Sequence, residues 1–233
     1  SILTEADVIN IFKKIKTDII CISYASFLVD LAEQVMKQNG NGEIYELLID
    51  GLKKIDLIDE IVIINDGSKD STGEIIKDLD VSIVAMAKNY GKGYAIKSAI
   101  KRVDYDYIAF IDGDLGYTSI EVEKLLKPVI SDEVDFTIAK FPTTSKCSKI
   151  KGGFGFVKKL AKKGVYLYTK KEIDTSLSGQ RVYKRKVIED IDYMPADYGI
   201  EVAMTIQALK AGYRFKEVPV NMTHRYSNRS LQG

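Results

Sequence analysis

One apolar run, Tyr107-Ile108-Ala109-Phe110-Ile111, ends directly on Asp112-Gly113-Asp114 and constrains this chain more than any other stretch. A continuous apolar run of this length reads as a strand buried on both faces. It is one of a series. From Asp59 on, apolar runs at residues 61–64 and 81–86 precede it, and one at 134–139 follows. Helical patterns fill the intervals, at about residues 71–79, 93–103 and 118–130. Strands that alternate with helices predict a parallel sheet covered on both faces. Later come a lysine-rich helix (154–168), a Ser178-Gly179-Gln180 turn, a helix (198–211) and a strand (213–220).

Such sheets bind ligands at the carboxyl ends of their strands, so the residues just after each run carry the chemistry. After the first stands Asn65-Asp66-Gly67-Ser68-Lys69-Asp70. Asp66 there can accept hydrogen bonds from a base or ribose; a turn that caps the next helix is the plainer reading. After the second stands Lys88-Asn89-Tyr90-Gly91-Lys92-Gly93, whose glycines let backbone approach a ligand and whose lysines suit phosphate oxygens. The P-loop spacing is absent. After the third, Asp112 and Asp114 lie two apart. If the strand's period of two carries on, both carboxylates face one hard cation, Mn2+ or Mg2+, that neutralises a diphosphate.

These three motifs, in this order, resemble the family-2-type glycosyltransferases over most of residues 59–233. The resemblance implies an α/β fold, a Rossmann-like GT-A nucleotide-diphospho-sugar transferase core over 58–233. It implies that Asp66 and Lys92 bind the nucleotide of a UDP-sugar donor, and that Asp112 and Asp114 form the DxD metal and diphosphate site. Leu177-Ser178-Gly179-Gln180, Asp197-Tyr198-Gly199-Ile200-Glu201 and Thr223-His224-Arg225 look similar to the glucosyl-3-phosphoglycerate synthases and their relatives. By that likeness His224 is a third metal ligand, and Ser178, Gly179 and Gln180 line the acceptor pocket. Asp197 and Glu201 are candidate bases if the reaction inverts the anomeric centre; a retaining reaction needs none.

The first 57 residues differ in character. Val8, Ile11, Phe12 and Ile15 recur at helical spacing, and so do Phe27, Leu28, Leu31 and Val35. A third helix is expected from about residue 43 to 54. The family's opening strand and base-gripping loop are missing, and residues 3–55 resemble instead a helical fragment of the RecO-type recombination mediators, carried by Ile22-Ser23-Tyr24-Ala25-Ser26-Phe27 and Glu43-Ile44-Tyr45-Glu46-Leu47-Leu48. The expected organisation is therefore a fusion: a helical N-terminal segment (1–57) and a transferase core (58–233). A lost central strand leaves backbone groups unpaired, so either residues 19–23 insert as a surrogate or the helices cover the gap.

Charge narrows the partners. A net charge of +1 gives no general case for nucleic acid, which is not expected as a partner. Cys21 and Cys147 fit no metal or redox spacing. No apolar run approaches the roughly 20 residues that span a bilayer, so a cytoplasmic protein is expected, able to sit peripherally at a membrane. Nine lysines and no acidic residue lie between Lys146 and Lys171. That field suits a phosphorylated small molecule or a polyprenyl phosphate as acceptor, and contact with an anionic membrane surface; a solvated helix face is the plainer reading. The expected function is metal-dependent transfer of a sugar from a nucleotide diphosphate to a hydroxyl or phosphate. The alternatives are a catalytically weak nucleotide-binding fold damaged by fusion and a DNA-repair adaptor.

Overall fold

The computed structural model describes residues 5–11, 25–32, 42–68, 72–142, 154–196 and 199–223. Eight strands form one mixed sheet. They are β1 (Glu5–Ile11), β2 (Ala25–Ala32), β3 (Glu60–Asn65), β4 (Ser82–Ala85), β5 (Tyr107–Asp112), β6 (Phe136–Lys140), β7 (Arg181–Lys184) and β8 (Phe215–Pro219). Their order across the sheet is β4-β3-β1-β2-β5-β7-β6-β8. The pairs β3–β4, β2–β5 and β6–β8 are parallel. Strand β1 runs antiparallel to β2 and β3, and β7 antiparallel to β5 and β6.

Strands β3 and β5 are rich in β-branched residues and are buried from both sides, as their unbroken apolar runs require. Their side chains alternate between two cores. Ile61, Ile63, Ala109 and Ile111 join α1 (Gly42–Lys53) through Tyr45, Leu48 and Leu52, and α4 (Glu123–Ile130) through Leu125, Leu126 and Val129. Val62, Ile64, Ile108 and Phe110 face the other way. They meet α3 (Lys92–Ile100), α5 (Phe154–Thr169) and α7 (Ile200–Lys210) through Ile96, Val165 and Met204. Each fully buried isoleucine contributes about 1.5–3 kcal/mol by leaving water. Tyr183 packs between Phe110 and Phe136 and extends the second core along β7.

Several expectations change. The first two helical patterns are strands where described: β1 and β2 stand between β3 and β5, in the place of the missing opening strand. Residues 25–32 supply a strand parallel to β5, paired from Ala25 with Tyr107 to Asp30 with Asp112. Strand pairing outweighs the helical periodicity because an open gap at a sheet's centre leaves two rows of polar groups unpaired. Helices therefore do not cover the gap, and residues 19–23 lie outside the described residues. The third helix is present as α1. The helix expected over 71–79 is reduced to α2 (Thr72–Ile75) and a 3-10 turn, Ile76–Asp78. The one expected over 118–130 divides into a 3-10 segment, Gly113–Val122, kinked at Gly116, and then α4. Strand β7 and the short α6 (Arg185–Glu189) were not expected.

Candidate active site

Strands β3, β4 and β5 run in the same direction, so their carboxyl ends share one edge of the sheet, and the loops that leave them line one rim. The loop that leaves β3 is built around Asp66. Its side chain is fully buried, and its two oxygens accept hydrogen bonds from the backbone amides of Tyr90 (2.9 Å) and Gly91 (2.8 Å). Burial pushes its carboxyl up from the ordinary value, and the two amide bonds pull it back. Asp66 thus spends both oxygens on holding the β4–α3 loop. Beside it Gly67 has φ +73, and a Cβ there would stand 2.3 Å from the Lys88 carbonyl carbon, so the two loops are in backbone contact.

The clasped loop delivers Lys92 at the start of α3. Its Nζ lies 3.3 Å from Asp112 Oδ1 and 3.2 Å from Glu201 Oε1. All three side chains are largely shielded from water, so this ion pair sits in a low effective dielectric. Asp112 ends β5. Phase places it with Ile108 and Phe110 on the α3–α7 side of the sheet. Its Oδ2 also accepts a short hydrogen bond from Gln180 Nε2. Gly179 presses against the same carboxylate: a Cβ there would lie 2.6 Å from Asp112 Oδ1. Asp114 is half-buried in the 3-10 segment that follows. The strand's period of two therefore stops at Asp112 and does not itself set the direction of Asp114.

The Ser176–Gln180 turn is held by a residue outside the expected site, Arg181. Arg181 opens β7 and is 1% exposed. Its guanidinium donates to the carbonyls of Ser178 (2.6 Å), Ser176 (2.6 Å) and Glu201 (3.0 Å), to Thr205 Oγ1 (2.6 Å) and to the Tyr183 hydroxyl (3.0 Å). One side chain so binds the Ser176–Gln180 turn to the first turn of α7, where Glu201 sits. Burial pushes the Tyr183 phenol up, with Arg181 pulling it down. A narrow cleft between these parts is lined by Lys92, Gly179, Arg181 and Glu201 on its polar side and by Ile96, Phe110 and Met204 on its apolar side. An arginine opening the apolar stretch Arg181-Val182-Tyr183 was the available signal, since a charge is rarely fully buried without dedicated partners.

Of the expected site residues, the fold brings Lys92, Asp112, Gly179, Gln180 and Glu201 together. Ser178 lies in the same turn, its Oγ 3.1 Å from Gln180 Oε1. Asp66 acts one step away, through the loop. Asp197 and His224 lie outside the described residues. Among the described residues, no group of three or more His, Cys, Asp or Glu side chains is placed to hold a metal. The oxygen donors of Asp112 and Asp114 do suit a hard divalent ion, and the glycine at 179 keeps side-chain bulk away from Asp112.

An uncharacterized protein of Methanocaldococcus jannaschii is 27% identical over 179 residues, which is 71% of this chain and 77% of that protein. The glycosyltransferase AglJ of Haloferax volcanii is 23% identical over 68% of this chain. The poly-beta-1,6-N-acetyl-D-glucosamine synthase of Staphylococcus aureus is 26% identical over 70% of it. The chain spans 52% and 42% of the length of those two enzymes. Glucosyl-3-phosphoglycerate synthase of Mycobacterium tuberculosis, solved with Mn2+, UDP and phosphoglyceric acid, shares the fold. Its TM-score is 0.64 at 20% identity, over 80% of this chain and 67% of that one. The model of the family described as glycosyl transferase family 2 matches residues 38–192. The match takes in Glu43 to Leu48, which the sequence had grouped with the RecO-type fragment. With two thirds of its length inside that match, and the loops of β3, β4 and β5 gathered at one rim, the chain belongs to glycosyl transferase family 2.

Proposed function

We propose that this protein transfers a sugar from a nucleotide diphosphate donor, UDP-linked, to a phosphorylated acceptor, with Mn2+ or Mg2+ as its cofactor. The observation that carries the reading is the convergence of Lys92, Asp112, Gly179, Gln180 and Glu201 from four separate segments. Asp112 and Asp114 would hold the metal, with His224 as a third ligand. When bound, the ion neutralises the leaving diphosphate and stabilises charge as the glycosidic bond breaks. Lys92 offers an ammonium to the diphosphate oxygens. Asp66 serves the nucleotide by fixing the loop that carries Lys92. Ser178, Gly179 and Gln180 border the acceptor, which is a phosphorylated small molecule or a polyprenyl phosphate. Glu201 and Asp197 are the bases available to an inverting reaction. For Glu201, the ion pair with Lys92 keeps the carboxylate within reach of the cleft.

Titration with UDP, with and without Mn2+, tests the donor site. Hydrolysis or transfer from UDP-sugars tests the enzyme. Asp114→Ala should leave the fold intact and lower turnover about 10²–10³-fold, the scale of losing a group that stabilises transition-state charge. Metal-dependent UDP binding without turnover would reduce the protein to a nucleotide-binding fold. No binding of UDP would remove the reading altogether.

A further inference from the structure

Helix α5 carries an apolar surface that is left exposed among the described residues. Its inward side holds Val165, fully buried beside Ile173, Ile200 and Met204. On the outward side Val157, Leu160, Gly164, Leu167 and Tyr168 follow one another at helical spacing and form a stripe. Val157 is 48% exposed, Leu160 58%, Leu167 56% and Tyr168 68%. Single exposed leucines need no explanation, but a contiguous apolar stripe on one helix does.

The stripe is bordered by positive charge. Lys159 and Lys163, four apart and both exposed, run along one flank. Lys158 and Lys162 lie on the far side of the helix, beyond the buried Val165, and Lys162 is paired with Asp174 at 2.7 Å. Lys170 and Lys171 stand just beyond the helix. From Val157 to Lys171 there are six lysines and no acidic residue. We infer that α5 is a membrane-docking helix, which lays Val157, Leu160, Leu167 and Tyr168 into the headgroup region of an anionic bilayer while its lysines meet the phosphates.

The combination selects this occupant. A second copy of the chain would bring its own lysine rows against these, since a two-fold contact sets the same patch on itself. A nucleic acid backbone would use the lysines and leave two leucines without a partner. An anionic lipid surface accepts both, and tyrosine suits its interfacial zone. No described helix is long and apolar enough to cross a membrane, so the contact is interfacial. The inference rests on the surface of α5 and stands apart from sugar transfer. If both hold, α7, which packs on α5 and carries Glu201, would keep the cleft close to the bilayer, where a lipid-linked phosphate could reach it.

The test is co-sedimentation of the full chain with phosphatidylcholine vesicles, with and without phosphatidylglycerol, read without any sugar donor. Binding is expected to the anionic vesicles and to weaken with salt. Lys159→Glu and Lys163→Glu should each lower it about fivefold or more. Leu160→Glu with Leu167→Glu should lower it at least about tenfold while thermal melting stays unchanged, because both side chains are exposed. Leu160→Phe should retain it. Absence of binding, equal binding to neutral vesicles, or indifference to all these changes overturns the proposal. So does sedimentation velocity showing a dimer that Leu160→Glu dissociates. Failure here with UDP binding intact would leave the sugar-transfer reading standing.

Discussion

The two sides of the cleft are held by opposite means. On one side a buried carboxylate, Asp66, accepts from backbone amides two dozen residues away, and glycine turns let the loops touch. On the other a buried guanidinium, Arg181, donates to backbone carbonyls and hydroxyls of two elements. A carboxylate has two oxygens and suits one loop. A guanidinium has five N–H groups in a fixed fork and can tie several segments at once. The Asp66 side is therefore a local clasp, and the Arg181 side a hub.

Removing the hub should cost most. Arg181→Met leaves several buried acceptors unpaired and is expected to destabilise the protein by about 3–5 kcal/mol in denaturant unfolding. If the loss were below about 1 kcal/mol, the hub would be redundant. Besides the Lys92–Glu201 ion pair, the two sides meet where α3 touches the 195–196 segment. A Cβ on Gly93 would lie 1.7 Å from the Pro195 carbonyl oxygen, and the Tyr94 amide donates to Ala196 at 3.1 Å. Gly93→Ala should cost about 2–3 kcal/mol and lower donor and acceptor binding together. A loss confined to one ligand would mean that the two sides move independently.

The clasp is expected to be weaker. Asp66→Asn keeps one acceptor but turns an N–H2 toward the other loop amide, at a cost of about 1–2 kcal/mol. Hydrogen exchange at Tyr90 and Gly91 should then quicken roughly tenfold while the β3 amides stay protected. Uniform loss of protection would make Asp66 a core residue rather than a clasp. Smallest is the effect at Asp135, far from the cleft. It accepts from the backbone amide and guanidinium of Arg214 and from Lys184 Nζ, so its carboxyl lies well below the ordinary 3.8. A depressed folded value contributes stability that is present above 3.8 and lost as pH falls from there. Asp135→Asn should flatten that acid limb and cost about 1 kcal/mol at neutral pH, since Arg214 is half exposed. An unchanged acid limb would place the acid-sensitive groups elsewhere.

The clasp was the legible side. Asn65-Asp66-Gly67 and Gly91-Lys92-Gly93 show themselves because turns that need glycine advertise it locally. Strands β3, β5 and β6 were readable for a similar reason, because burial on both faces favours near-continuous apolar runs. The hub was not legible: Arg181 reaches residues up to 24 positions away, and no local pattern records that reach. The N-terminal segment misled more directly. Its apolar spacing suits a helix, but a sheet open at its centre recruits strands β1 and β2.

The sequence by itself determined the α/β order, the acidic end of β5, the loop that presents Lys92 and the basic apolar helix α5. Each is written in a short window whose burial period or turn chemistry allows few conformations. Only the tertiary structure decided that Asp66 serves a loop, that Asp112 is shared by Lys92 and Gln180, and that Arg181 joins the Ser176–Gln180 turn to α7. Those pairings depend on which segments lie side by side. That is set by the packing of both faces of the sheet together and not by any one stretch of the chain.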